Sequence, residues 1–250
     1  MGRISETVKI LLIVNILFYV GTMSLGRQAY ELFALHYPDN ERFEYWQLVT
    51  HMFMHGSTAH IFLNMFMLYM FGSHLEYSVG QKKFLFLYFS AGFGAAALQL
   101  LFLYVGFQDA YNTYIQAGAS PQQIKETLTM ITESGRYYPI AGVPEEVTAK
   151  LYSSYASSMV GASGAVFGVL AAFAVLYPNL PLYLFFIPVP IKAKYLIGAY
   201  FAIDLYSAAT GTNIIGPSNV AHWAHVGGAV IGFITMWYWK KNSFNRNRWD

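Results

Sequence analysis

The chain has no cysteine among its 250 residues. Disulfides, thiol nucleophiles and thiolate-held metals are therefore excluded at the outset. Charge is scarce too: Asp, Glu, Lys and Arg together make up 11% of the sequence, and the formal net charge is +2. So small an excess, with no dense basic cluster, leaves no footprint for a nucleic-acid partner. No internal repeat is evident. What fills the chain instead is apolar: 56% of residues are hydrophobic and the mean hydropathy is +0.37. Because about 20 apolar residues span a bilayer core, the long charge-poor runs place it among multi-pass, all-α membrane proteins.

Six spans are expected, forming one membrane domain over residues 1–250. The first covers Val8 to Leu25, and lacks a small-x-small cleavage site, so it reads as a retained span and not a removed signal. A polar, aromatic segment from Gly26 to Gly56 is too charged to cross. The second span begins at Ser57, a plausible N-cap, and ends near Tyr77; the third runs from Phe84 to Phe107. A polar insert then occupies Gln108 to Tyr155. Within it Ser120-Pro121-Gln122-Gln123 has the form of a capping box with proline in the first turn, predicting a surface helix from Pro121 to Ser134, and a second helix is expected from Pro144. The fourth span holds Ser163 and stops before Pro178. Prolines 181, 188 and 190, then Lys192 and Lys194, mark an irregular turn. The fifth span covers Tyr195 to Ala209 and the sixth Asn219 to Trp239. With the N-terminus inside, inner segments hold ten Lys and Arg, from Arg3 to Arg248. Outer ones hold five: Arg27, Arg42, Lys125, Arg136 and Lys150. Both termini are thus expected in the cytoplasm, of a bacterial cell (inner) membrane, and the starts of spans two, four and six share the outer level.

Three groups of residues at that level carry chemistry. Ser163 sits in Gly161-Ala162-Ser163-Gly164, ahead of a small-residue face, Gly164 and Gly168. A matching face, Gly228 and Gly232, follows His225. Small faces let helices approach closely, and if these two pack together a serine and an imidazole come within reach, as a nucleophile and its base require. On the second span His60 and Asn64, four apart, share a face, and an inward imidazole and amide could donate to an oxyanion or simply tie helices together. His222 lies one turn nearer the outside than His225 and is expected at the solvent edge. Asp204 is set aside as a third member, since it lies near the outer end of its span, where a carboxylate stays hydrated. A metal site is the competing reading, with His51, His55, His60, His222 and His225 as ligands. No His-Glu-x-x-His signature or inner carboxylate accompanies them.

From Tyr45 onward the chain resembles the rhomboid intramembrane serine proteases. The resemblance rests on Gly161-Ala162-Ser163-Gly164, on His60-Ile61-Phe62-Leu63-Asn64, and on His225-Val226-Gly227-Gly228 followed by Gly232. His51, His55, Gly72 and Glu76 also fit the family pattern. It implies a six-helix rhomboid-like bundle with Ser163 as nucleophile, His225 as general base, and His60 and Asn64 as oxyanion-hole donors. It implies no cofactor and no metal, with single-span transmembrane proteins as substrates and membrane lipid as surroundings. Two positions depart from the pattern: Gln47 stands where the family carries arginine, and Phe167 where many members carry tyrosine. The insert is longer than in minimal six-span members. Its apolar positions Ile124, Leu128 and Ile131 form one helix face, expected to bury itself against the outer loops, the membrane surface or a partner chain; docked over the mouth of the site, the helix would limit which substrates enter. The alternatives are a non-catalytic relative that binds membrane helices and a histidine-ligated, metal-dependent membrane enzyme.

Overall fold

The computed structural model describes residues 3–134, 142–184, 187–214 and 220–246. Arg136 and Arg248 of the charge balance, and Asn219 at the expected start of the sixth span, lie outside them. The described chain is mostly helical. Helices α1 (Glu6–Leu25) and α2 (Arg27–Phe33) lead to strand β1 (Leu35–His36), α3 (Gln47–Thr50) and a 3-10 turn, His51–Phe53. Helix α4 (Thr58–Met67) continues through a π-helical turn, Leu68–Gly72, into α5 (Ser73–Val79). The longest helix, α6 (Gln81–Gln116), is followed by α7 (Pro121–Ser134), α8 (Glu145–Tyr155) and β2 (Ser158–Met159). Helix α9 (Ser163–Leu176), a hairpin of β3 (Pro181–Leu184) and β4 (Ile187–Lys192), α10 (Ala193–Thr210) and α11 (His222–Arg246) complete it.

Local chemistry explains several boundaries. Ser57 Oγ accepts from the His60 N–H at 3.2 Å and so caps α4. Ser120 and Gln123 cap α7 reciprocally, each backbone N–H donating to the other's side chain at 2.8 and 3.2 Å. The cap of α1 comes from far away in sequence. The buried Glu76 carboxylate accepts from Ser5 Oγ at 2.5 Å and from the Thr7 and Val8 N–H groups at 3.2 and 3.1 Å. These unpaired amides at the start of α1 attract a carboxylate, and the contact fastens α1 to α5.

Among the described helices, α1 and α6 are long and apolar enough to cross a membrane; α9 is apolar but has only 14 residues. Two expected boundaries are corrected. Helix α6 does not stop at Phe107 but runs on to Gln116, because Phe107, Ala110 and Tyr114 keep one buried face going. The proline-rich turn is a two-stranded hairpin, in which Leu182 pairs Ile191 and Tyr183 pairs Pro190. A two-stranded ribbon tolerates proline because each strand is an edge.

The insert packs on the end of α6. Ile124 and Leu128 of α7 join Phe107, Tyr114, Leu151 and Tyr155 in an apolar cluster of their own, and Ile131 is buried as well. The apolar face of α7 is thus covered by α6 and α8 of the chain itself. The main core lies among α1, the π turn, α5, α6 and α9, around Val8, Leu68, Leu75, Phe84, Tyr88 and Val169. Against it α9 and α11 meet backbone to backbone. A Cβ on Gly228 would lie 1.9 Å from the Gly164 carbonyl oxygen, and one on Gly232 would lie 2.2 Å from that of Gly168. Only glycine permits that approach, and it sets the register of α11 against α9.

Candidate active site

Ser163 is the first residue of α9, and His225 lies one turn into α11. The glycine contact brings them together, leaving Ser163 Oγ 2.8 Å from His225 Nε2. The other imidazole nitrogen, Nδ1, donates to Asp204 Oδ2 at 3.0 Å. A carboxylate only accepts, so its contact fixes the hydrogen on Nδ1 and leaves Nε2 as the acceptor for the serine hydroxyl. Phe167, one turn along α9, stacks on the His225 ring with centroids 4.2 Å apart and planes 11° from parallel. A phenyl ring therefore holds the imidazole without a hydroxyl. Tyr200 of α10 packs on Phe167 in turn, at 4.9 Å.

Asp204 is where the sequence reading fails. It was expected to stay hydrated, but it is only 4% exposed. Its second oxygen, Oδ1, accepts from His222 Nδ1 at 2.6 Å, and His222 Nε2 lies 3.2 Å from the Asn213 side-chain amide. His222 is thus not at a solvent edge; its side chain is 12% exposed and clamps the carboxylate. One turn of α11 places both histidines over Asp204, which shuts water out.

The approach to Ser163 is shaped by Gly161, whose φ of +132° falls in a region that side-chain-bearing residues rarely adopt. A Cβ there would lie 2.8 and 2.9 Å from the His60 ring and 3.5 Å from Ser163 Oγ. The His60 ring and the serine hydroxyl therefore converge on the space that this glycine leaves open. Asn64, one turn beyond His60 on the same face, is 6% exposed, and its Nδ2 donor has no hydrogen-bond partner among the described residues. An unpaired buried donor is uncommon and calls for a reason.

The segment before Ser163 is stitched to the polar stretch between α1 and α4. Strand β1 pairs antiparallel with β2, Leu35 opposite Met159, and the Gly161 N–H donates to the His51 carbonyl at 2.9 Å. His51 Nδ1 donates to the Gln47 carbonyl at 2.7 Å. The Gln47 side chain is fully buried; its Nε2 donates to the Arg42 carbonyl at 2.7 Å, and its Oε1 accepts from the His36 and Glu44 N–H groups. An uncharged amide thus organises this stretch where the family pattern has arginine.

Among the described residues, no three of the five histidines weighed as metal ligands bring their ligand atoms within 4.8 Å of one another. His51 and His55 each bond a backbone carbonyl through Nδ1, and His55 meets His60 edge to face, ring centres 5.0 Å apart. Among the described residues, the group with metal-like spacing is Asp204, His222 and His225, ligand atoms within 4.8 Å of one another. The hydrogen bonds above already engage each of those atoms.

The family model for the Rhomboid domain matches residues 42–124 and 127–242. An uncharacterized mitochondrial rhomboid protein of Schizosaccharomyces pombe is 29% identical over 219 residues, 80% of this chain and 53% of that protein. Rhomboid protein 1, mitochondrial, of Saccharomyces cerevisiae is 39% identical over 82 residues, 33% of this chain and 22% of that one. RHOMBOID-like protein 6, mitochondrial, of Arabidopsis thaliana is 38% identical over 60 residues, 24% and 20% respectively. The chain spans about half the length of the first of these and less of the others.

Proposed function

The chain belongs to the rhomboid family, and on that premise we propose that it is an intramembrane serine endopeptidase with Ser163 as nucleophile and His225 as general base. The observation that carries this reading is the 2.8 Å contact between Ser163 Oγ and a His225 Nε2 held free to accept. A hydroxyl is a poor nucleophile until a base takes its proton. In the reaction, His225 removes that proton as Oγ attacks the scissile carbonyl, then returns it to the leaving amine. Water, activated by the same imidazole, releases the acyl group. His60, Asn64 and the Ser163 backbone N–H at the start of α9 receive the oxyanion. Such donors are each worth about 2.7–4 kcal/mol in the transition state, which is a sufficient reason to bury an unpaired Asn64 amide.

The substrates are single-span membrane proteins, reached through the surrounding lipid and cut in or beside the span, and no cofactor takes part. Six segments cross the bilayer in this reading: α1, α4 with α5, α6, α9, α10 and α11. The insert of residues 108–155 lies on the outer side with Ser163, and both termini lie on the other, as the Lys and Arg balance favours. The relatives are mitochondrial by name and lend no support to the bacterial membrane expected from sequence.

Detergent-solubilised protein tests the reading directly. Ser163→Ala and His225→Ala each abolish cleavage of a transmembrane reporter, and a fluorophosphonate labels Ser163 in the wild type alone. Asn64→Ala lowers kcat by about 10–1000-fold with labelling still detectable, whereas a change in melting temperature alone would make Asn64 structural. Activity that survives Ser163→Ala and is lost to EDTA would hand the site to the metal chemistry of the competing reading.

A further inference from the structure

We propose that Asp204 is a positioning residue for His225, so that the site works as a chain of three side chains, Ser163, His225 and Asp204, and not as a serine–histidine pair. The inference rests on the serine-protease reading above and adds to it a residue from α10.

Three observations carry it. The carboxylate is in line: Oδ2 holds Nδ1 at 3.0 Å while Nε2, across the same ring, meets Ser163 at 2.8 Å. It is also out of water, at 4% exposed, where a charge-assisted hydrogen bond is stronger than at a surface. Finally, it cannot swing away. Oδ1 is held by His222 Nδ1 at 2.6 Å, and the His225 ring that it orients is held flat by Phe167 stacked on one face. When Ser163 gives its proton to Nε2, the hydrogen on Nδ1 stays where it is. The new imidazolium then faces a carboxylate, which stabilises it without itself changing protonation. Asp204 touches no reacting atom. It selects the ring's tautomer, orients the ring and compensates the charge that develops there.

The second hydrogen bond makes the two obvious substitutions informative in different ways. Asp204→Ala removes orientation and charge together. Asp204→Asn removes the charge and keeps both contacts, because its amide oxygen can still accept from His225 while its amide nitrogen donates to His222 Nδ1 once that ring carries its hydrogen on Nε2, facing Asn213. Each variant is purified in micelles, and kcat, KM, melting temperature and fluorophosphonate labelling rate are measured beside wild type and Ser163→Ala. Asp204→Ala is expected to lower kcat and labelling rate by about 100- to 10,000-fold with KM within threefold. Asp204→Asn should fall between it and wild type. A kcat within threefold of wild type in a folded Asp204→Ala protein, with only the melting temperature lowered, overturns the inference and leaves Asp204 as a tie between α10 and α11. Should Asp204→Ala not fold, Asp204→Asn decides by the same threshold. Ser163→Ala separates the two levels of the argument: if it too cleaves the reporter, the serine-protease reading fails, whereas loss in Ser163→Ala beside full activity in the Asp204 variants removes only the aspartate.

Discussion

Single residues of this chain are governed by what covers them. His51 shows this outside the proposed site. Burial holds its imidazole down at about 4 against an ordinary 6.5, and the hydrogen bond to the Gln47 carbonyl opposes that only in part. The folded chain therefore takes up the proton less readily than the unfolded one. Its contribution to stability is complete above pH 6.5 and is lost as the pH falls towards 4, by on the order of 3 kcal/mol. Melting temperatures taken from pH 7 to 4.5 should fall in the wild type and fall less in His51→Gln; equal slopes would clear His51 as the cause. The same dependence on cover decided what could be read from sequence. Ser163, His225, His60 and Asn64 announce themselves through short spacings on helical faces. Asp204 does not, because its burial comes from histidines 18 and 21 residues further on, and no local pattern encodes which helix will lie over it.

At the scale of elements, packing extends or reshapes what composition predicts. Polar residues after Phe107 signalled the end of a span, but α6 continues because Phe107, Ala110 and Tyr114 still have apolar partners in the insert. The α7 helix was legible to the residue, since its start is encoded by its own cap; the surface that it covers was not. The glycine faces were legible in kind, and the structure adds their tolerance, which is nil. Gly232→Ala must push α11 away from the Gly168 carbonyl, and overpacking of this sort costs about 1–3 kcal/mol. Because that displacement also pulls His225 from Ser163, the variant should show both a lower melting temperature and slower fluorophosphonate labelling. Unchanged labelling beside a lowered melting temperature would mean that the histidine follows the serine when the helices part.

For the molecule as a whole, the helix made of α4, the π turn and α5 joins its two ends. Near its start it carries His60 beside the segment before Ser163, with Asn64 one turn further on, and near its close Glu76 fastens the start of α1. Residues turn about 100° apiece around an α-helix, so Asn64 and Glu76, twelve positions apart, would point about 120° from one another in an unbroken one. A π turn holds one residue more than the α turn that it replaces, and taking that residue out of the count brings the two side chains to nearly the same bearing. The turn at Leu68–Gly72 is thus a place where the helix stores a surplus residue. Deleting Tyr69 lets the turn relax to α-helix with both ends still in phase, so expression and Ser163 labelling should survive. Inserting one alanine beside Tyr69 finds no such slack and swings Glu76 by about 100° away from α1, so that variant should not accumulate as folded protein. Along this helix, a change in length of one residue is tolerated in one direction only.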